Sequence, residues 1–118
     1  MEAIRTEIIG RVVFVTGGAT GVGRAVCNAL AARGARGILV NSAGRTAPVP
    51  VRDLDAITDE RWDDLMDTNL RGTFYTCRAS APHLERDGGA IINVGSIGGI
   101  RGSTSCIPYG LSKAGCIG

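Results

Sequence analysis

Lysine is almost missing from this sequence: of 13 basic residues only Lys113 is a lysine, and the rest are arginines. Histidine is as scarce, with His83 alone, and the four cysteines Cys27, Cys77, Cys106 and Cys116 form no CxxC pair. One histidine and four scattered thiols do not match the spacings of any familiar zinc set, so no metal site is expected. The cysteines read instead as reduced, mostly buried thiols of a cytoplasmic protein. No basic run exists either. A formal net charge of +2, with the arginines dispersed along the chain, offers no stripe for nucleic acid or an anionic membrane surface. No apolar stretch approaches the roughly 18 residues that cross a bilayer. The N-terminal MEAIRTEIIG carries Glu2 and Glu7 and lacks the apolar centre of a secretion signal.

Glycine, by contrast, is abundant, with 18 in 118 residues, about twice the usual share of roughly 7%. The length suits one ordinary domain, and 44% hydrophobic with 20% charged residues is the balance of a soluble globular chain. Residues 11 to 16, RVVFVT, read as a short buried strand that opens onto glycines. In the next stretch, GVGRAVCNALAARGA, Val22, Ala25, Val26, Ala29 and Leu30 recur at helical spacing, and Gly34 is placed to stop the helix. A second strand is predicted over 38 to 44, ILVNSAG, and a surface loop over the proline-containing RTAPVPVRD. Thr58 with Asp59 and Glu60 starts a helix whose apolar face is Trp62, Leu65, Met66, Leu70 and Phe74, and which ends before Pro82. Residues 90 to 97, AIINVGSI, form a third strand, GGIRGSTSC a glycine-rich loop, and Ile107 to Gly118 a helix with Pro108 in its first turn. Alternating strands and helices predict an α/β fold with a parallel sheet.

Two short stretches carry chemistry. TGGATGVG, residues 16 to 23, sets Gly17, Gly21 and Gly23 between a strand and a helix. Residues without a Cβ there let backbone N–H groups and a positive helix end approach a pyrophosphate. A tight turn that touches no ligand uses the same residues, so the strand-before, helix-after context carries the argument. YGLSK, residues 109 to 113, places the lone lysine four positions after Tyr109. Positions i and i+4 of a helix share a face, and an adjacent cation favours the charged form of a phenol. A compact ammonium suits that role where a planar guanidinium would not. A solvated helix pair is the plain alternative.

TGGATGVG, NSAG at 41 to 44, Asn69 in DTNLRGTF, Ser96 in INVGSIGG, and YGLSK resemble, in this order, the motifs of the short-chain dehydrogenase/reductase family. Tyr109 follows Ser96 by the family's usual interval. The stretch from NSAG to YGLSK is most similar to the 3-oxoacyl-acyl-carrier-protein reductase and sugar or alcohol dehydrogenase branch. The resemblance implies a Rossmann-like, three-layer α/β domain and NAD or NADP as cofactor, with a small carbonyl or alcohol as substrate. It also implies a homodimer or homotetramer. It gives Tyr109 the proton exchanged with the substrate oxygen, and Ser96 a hydrogen bond to that oxygen. Lys113 would take the nicotinamide ribose and make the phenol more acidic, and Asn69 would hold a water linking the lysine to solvent. Gly17, Gly21, Val22 and Gly23 would meet the pyrophosphate, and Asn41, Ala43 and Gly44 would line the adenosine side. Taken singly, Ser96 also reads as a turn cap, Asn69 as a mid-helix amide bonded to a neighbouring segment, and NSAG as an ordinary strand exit.

Against the family pattern, much is absent. Only 17 residues lie between Gly23 and Asn41, where the family has two further strands and two helices, and it continues well beyond YxxxK. The expectation is therefore a single partial dinucleotide-binding domain over 1–118, with about three of the usual seven strands, internally shortened and truncated at its end. The lost segment would have held the residue that selects NAD or NADP. Joining the first helix directly to the NSAG strand constrains the crossover, since left-handed connections make up about 2% of cases. Two readings stay open: an NAD(P)-dependent oxidoreductase of secondary alcohols and ketones, or a catalytically inactive, partly folded or self-associating fragment.

Overall fold

The run VVFVT forms strand β1, Val12–Thr16, and pairs in parallel with β2, Gly37–Asn41, in the register Val12 to Gly37 through Thr16 to Asn41. The computed structural model describes residues 12–32, 37–102 and 105–118. A third strand, β3, Ala90–Asn93, completes a parallel sheet of order β1-β2-β3. The NSAG strand is thus central, and its sequence shows why: Leu39, Val40 and Asn41 are all buried, the continuous run expected of a strand covered on both faces. The outer strands are less protected. Val12 and Phe14 on β1 and Ile91 and Ile92 on β3 remain exposed.

Helix α1, Gly21–Ala31, follows the glycine turn as the periodicity predicts. The predicted stop at Gly34 and the join at Arg36 lie outside the described residues. β2 ends at Asn41 rather than Gly44, because the Ser42 and Ala43 N–H groups turn to the Thr16 side chain and leave the ladder. β3 likewise ends at Asn93 instead of Ile97. Ser96 caps a 3₁₀ turn, Ile97–Gly99, by accepting the Gly98 N–H at 3.1 Å.

The helix predicted to start at Thr58 begins there, with the threonine hydroxyl accepting the Arg61 N–H. It is not one regular helix. Helix α2, Asp59–Met66, passes through a π-helical segment, Asp67–Arg71, into α3, Gly72–Asp87. The predicted end before Pro82 is therefore wrong: the proline lies inside α3 and is exposed, where losing one backbone bond costs less than ending the helix. The predicted apolar face also needs correcting. Leu65 is buried, but Trp62 and Phe74 are 37% and 57% exposed. A π turn inserts one residue and rotates the later positions by about 100° on the helical wheel, so Phe74 leaves the face set by Leu65.

Two units organise these elements: Met1–Ala43 with Thr76–Ile92, and Gly44–Tyr75 with Asn93–Gly118. The first holds the β1–β2 pair, α1 and the glycine turn. The second has its own apolar centre, Val49, Leu65 and Cys106, with Ala47, Ala56, Ile57 and Tyr109 packed around it. Helix α4, Ile107–Gly115, belongs to the second unit and places Pro108 in its first turn as expected. It stops at Gly115 rather than continuing to Gly118, and Cys116 closes it by donating its N–H to the Ser112 carbonyl. All four cysteines are free, but only Cys106 is buried; the other three are half-buried.

Candidate active site

In the first unit, Thr16 ends β1 with its hydroxyl oxygen turned to the backbone of the NSAG segment, accepting the Ser42 and Ala43 N–H groups at 3.0 Å each. The glycine turn packs on the same segment. A Cβ on Gly17, which has φ +65°, would lie 2.9 Å from the Ala43 Cα, and one on Gly23 would overlap the Gly17 carbonyl oxygen. Gly21 has φ +51° and nothing nearby, so conformation alone demands glycine there. Helix α1 starts at this turn with no side-chain cap and no acidic residue in its first turn, which leaves its N–H groups and positive end open to an anion. This bare backbone cradle fits a pyrophosphate. Val22 follows on α1 and is 65% exposed. The Asn41 side chain turns elsewhere: Oδ1 accepts from the Thr76 hydroxyl at 2.6 Å and Nδ2 donates to Cys77 Sγ at 3.3 Å.

In the second unit, the centre is Asn69, fully buried in the π-helical segment. Its Oδ1 accepts the Arg45 N–H at 2.7 Å, and Nδ2 donates to the Arg45 carbonyl at 2.9 Å and to Ser112 Oγ at 3.0 Å. The amide thus pins the loop that leaves NSAG to helix α4. Its side chain is engaged by protein groups, and its carbonyl accepts from the Thr73 hydroxyl and from Cys116 Sγ.

Lys113 is 6% exposed and donates one N–H to the Val94 carbonyl at 3.0 Å. Among the described residues no carboxylate pairs with it; the ion pairs there are Arg45–Asp64 and Arg71–Asp67. An ammonium has three donors, so burying it on one carbonyl is costly unless something else engages the remainder. The lysine head and the Asn69 amide flank one point of backbone: a Cβ on Gly44 would lie 3.4 Å from Lys113 Nζ and 3.6 Å from Asn69 Oδ1. Tyr109, one turn earlier on α4, is half-buried against Val49, Leu65 and Cys106. The Ser96 hydroxyl oxygen accepts the Gly98 N–H, while Gly99 of the same turn presses on the Lys113 backbone.

The family model described as short chain dehydrogenase matches residues 37–118, more than half of the chain. The chain belongs to the short-chain dehydrogenase/reductase family. The glycine turn precedes the matched residues. Among relatives, the protein designated ketoacyl reductase 2 of the granaticin polyketide synthase in Streptomyces violaceoruber is 47% identical over 79 residues, 66% of this chain and 32% of that protein. The protein designated galactose dehydrogenase GalD in Rhizobium meliloti is 40% identical over 91 residues, 76% of this chain and 34% of the relative. The chain therefore spans about a third of the length of these curated relatives. The crystal structure of a short-chain dehydrogenase from Leptospira borgpetersenii with bound NAD+ superposes with a TM-score of 0.84. The match covers 97% of this chain and 64% of that one at 22% identity, a likeness of fold.

Within this dehydrogenase/reductase fold, the second unit holds Asn69, Ser96, Tyr109, Lys113 and Gly44, and the first holds Gly17, Gly21, Val22, Gly23, Asn41 and Ala43. Three participants were not singled out from sequence: the Thr16 hydroxyl, the Val94 carbonyl and Ser112. Ser112 lay in plain view within YGLSK, and helical phase was its only signal, since it sits about a third of a turn from Lys113 on the wheel.

Proposed function

We propose that this chain carries the nucleotide turn and the Tyr/Lys/Ser/Asn set of an NAD(P)-dependent oxidoreductase that interconverts a secondary alcohol and a ketone. The observation that carries the reading is Lys113, a buried ammonium with one carbonyl partner among the described residues, one helical turn from Tyr109. Family membership supports it, as do relatives designated ketoacyl reductase and galactose dehydrogenase, and a neighbour that holds NAD+. When bound, the nicotinamide supplies or takes up hydride. Gly17 and Gly23, with the uncapped start of α1, would hold its pyrophosphate. Lys113, one helical turn from Tyr109, would donate to the ribose hydroxyls. Tyr109 gives a proton to the carbonyl oxygen, or takes one from the alcohol. Ser96, its oxygen accepting the Gly98 N–H, donates its hydroxyl hydrogen to the same oxygen as charge grows there.

The test is direct. The purified chain is titrated with NADH and NADPH by fluorescence, then assayed on 3-oxoacyl thioesters and sugar lactones with nucleotide, and on secondary alcohols in reverse. Nucleotide binding is expected, with turnover that Tyr109→Phe lowers by about 10²–10⁴-fold while binding persists. Failure to bind either nucleotide sinks the reading.

A second reading has its own support. Exposed apolar residues on both outer strands, Val12, Phe14, Ile91 and Ile92, favour an inactive chain that associates with itself. Turnover that is lost in Lys113→Met removes that reading.

A further inference from the structure

Ser112 has no exposed surface, and its hydroxyl is used twice: it donates to the Tyr109 carbonyl at 2.8 Å and accepts from Asn69 Nδ2 at 3.0 Å. The geometry points to Ser112 as a positioning residue of the proposed site, its hydroxyl tying Asn69 in the π-helical segment to the turn of α4 that bears Tyr109 and Lys113. This rests on the oxidoreductase reading above.

A serine whose hydroxyl bonds a carbonyl three residues back tends to loosen a helix. The local gain is small, so the reason for the serine lies in its second partner, Asn69. That partner is committed on its other side: Asn69 brackets both backbone groups of Arg45. The hydroxyl therefore closes a chain of bonds running from the loop after NSAG, through the π segment, to Tyr109. Helix α4 has nine residues, about two and a half turns, so few contacts set the direction in which Tyr109 and Lys113 project. With the hydroxyl gone, one Asn69 N–H is buried without an acceptor and the amide must turn. Lys113 Nζ and Asn69 Oδ1 flank the same Gly44, so a turn of the amide is felt at the lysine head.

The experiment uses the whole 118-residue chain as Ser112→Ala and Ser112→Thr, with far-UV circular dichroism to establish folding. Ser112→Ala should lower kcat on the order of 10- to 100-fold, the scale of a misaligned reacting group, with substrate KM and nucleotide Kd nearly unchanged. Ser112→Thr keeps a hydroxyl that reaches the same carbonyl in a helix, and should recover most of the loss. Combined with Asn69→Ala, the alanine change should cost little more than Asn69→Ala alone, since both cut one chain of bonds.

A readout free of turnover uses the two tyrosines, Tyr75 and Tyr109. In a 3-fluorotyrosine-labelled chain, with Tyr75→Phe for assignment, Ser112→Ala should move the Tyr109 fluorine signal, leave that of Tyr75 in place, and be reversed by Ser112→Thr. If alanine or threonine prevents folding, Ser112→Cys carries the same comparison at similar volume. Folded Ser112→Ala with wild-type kcat, or losses that multiply with Asn69→Ala, overturns the positioning role alone. A wild-type chain that binds neither nucleotide overturns the oxidoreductase reading and takes this role with it.

Discussion

In the proposed site, Lys113 would trade stability for function. Its ammonium is buried with a carbonyl for company, and methionine of similar length would fill the space without a charge to desolvate. Lys113→Met is therefore expected to leave stability unchanged or raise it by about 1 kcal/mol in urea unfolding, while nucleotide binding and turnover disappear. A loss of several kcal/mol would mean that the lysine is a structural tie instead. YGLSK pointed to the tyrosine and lysine through the rarity of lysine and their spacing of four positions. Burial of Lys113 and the bond to Val94 were not legible, because they depend on where β3 ends. Ser96 shows the opposite outcome: the plain alternative, a turn cap, is what its oxygen does, and its hydroxyl hydrogen keeps the proposed role possible at the same time.

Strands and helices bear on the glycines and on the N-terminus of α2. Gly23→Ala would drive a Cβ into the Gly17 carbonyl and should cost about 1–3 kcal/mol as the backbone yields, with loss of nucleotide binding. Gly21→Ala meets open space and should cost only the strain of its positive φ, about 1 kcal/mol. Urea midpoints with NADH titrations separate the two. At the start of α2, the Glu60 carboxyl is held below its ordinary value of 4.5 by its own backbone N–H first and by the Thr58 side chain second. A depressed carboxyl stabilises the fold above that ordinary value, and the contribution fades as pH falls through the lower folded value. Stability should therefore decline below about pH 4.5, and Glu60→Gln should make that acid slope shallower in urea titrations at pH 3 to 6. The start at Thr58 was readable because a cap is local chemistry. The π turn was not, since it breaks the period by which helices are read, and neither was the passage through Pro82, since a proline reads locally as a helix end. Asn69 is held in that broken stretch by partners 24 and 43 positions away.

For the molecule as a whole, the exposed outer strands matter most. VVFVT carries no charge, and Val12 and Phe14 are 68% and 59% exposed on an outer strand, a pattern that invites pairing with another chain. Light scattering is expected to rise with concentration, and Phe14→Lys to reduce it at least severalfold; equal scattering from both would clear β1 of responsibility. The α/β class, the order of elements and the family were all determined by sequence, because strand and helix periods, glycines at a turn, and the YxxxK spacing are properties of neighbours along the chain. Which strand is central, where NSAG leaves the sheet, and which groups Asn69, Ser112 and Lys113 bond were decided only by tertiary structure. The deciding contacts, Asn69 with Arg45 and Ser112 and Lys113 with Val94, join residues 19 to 43 positions apart, and no local period encodes the hydrogen-bond partner that a buried polar group must find.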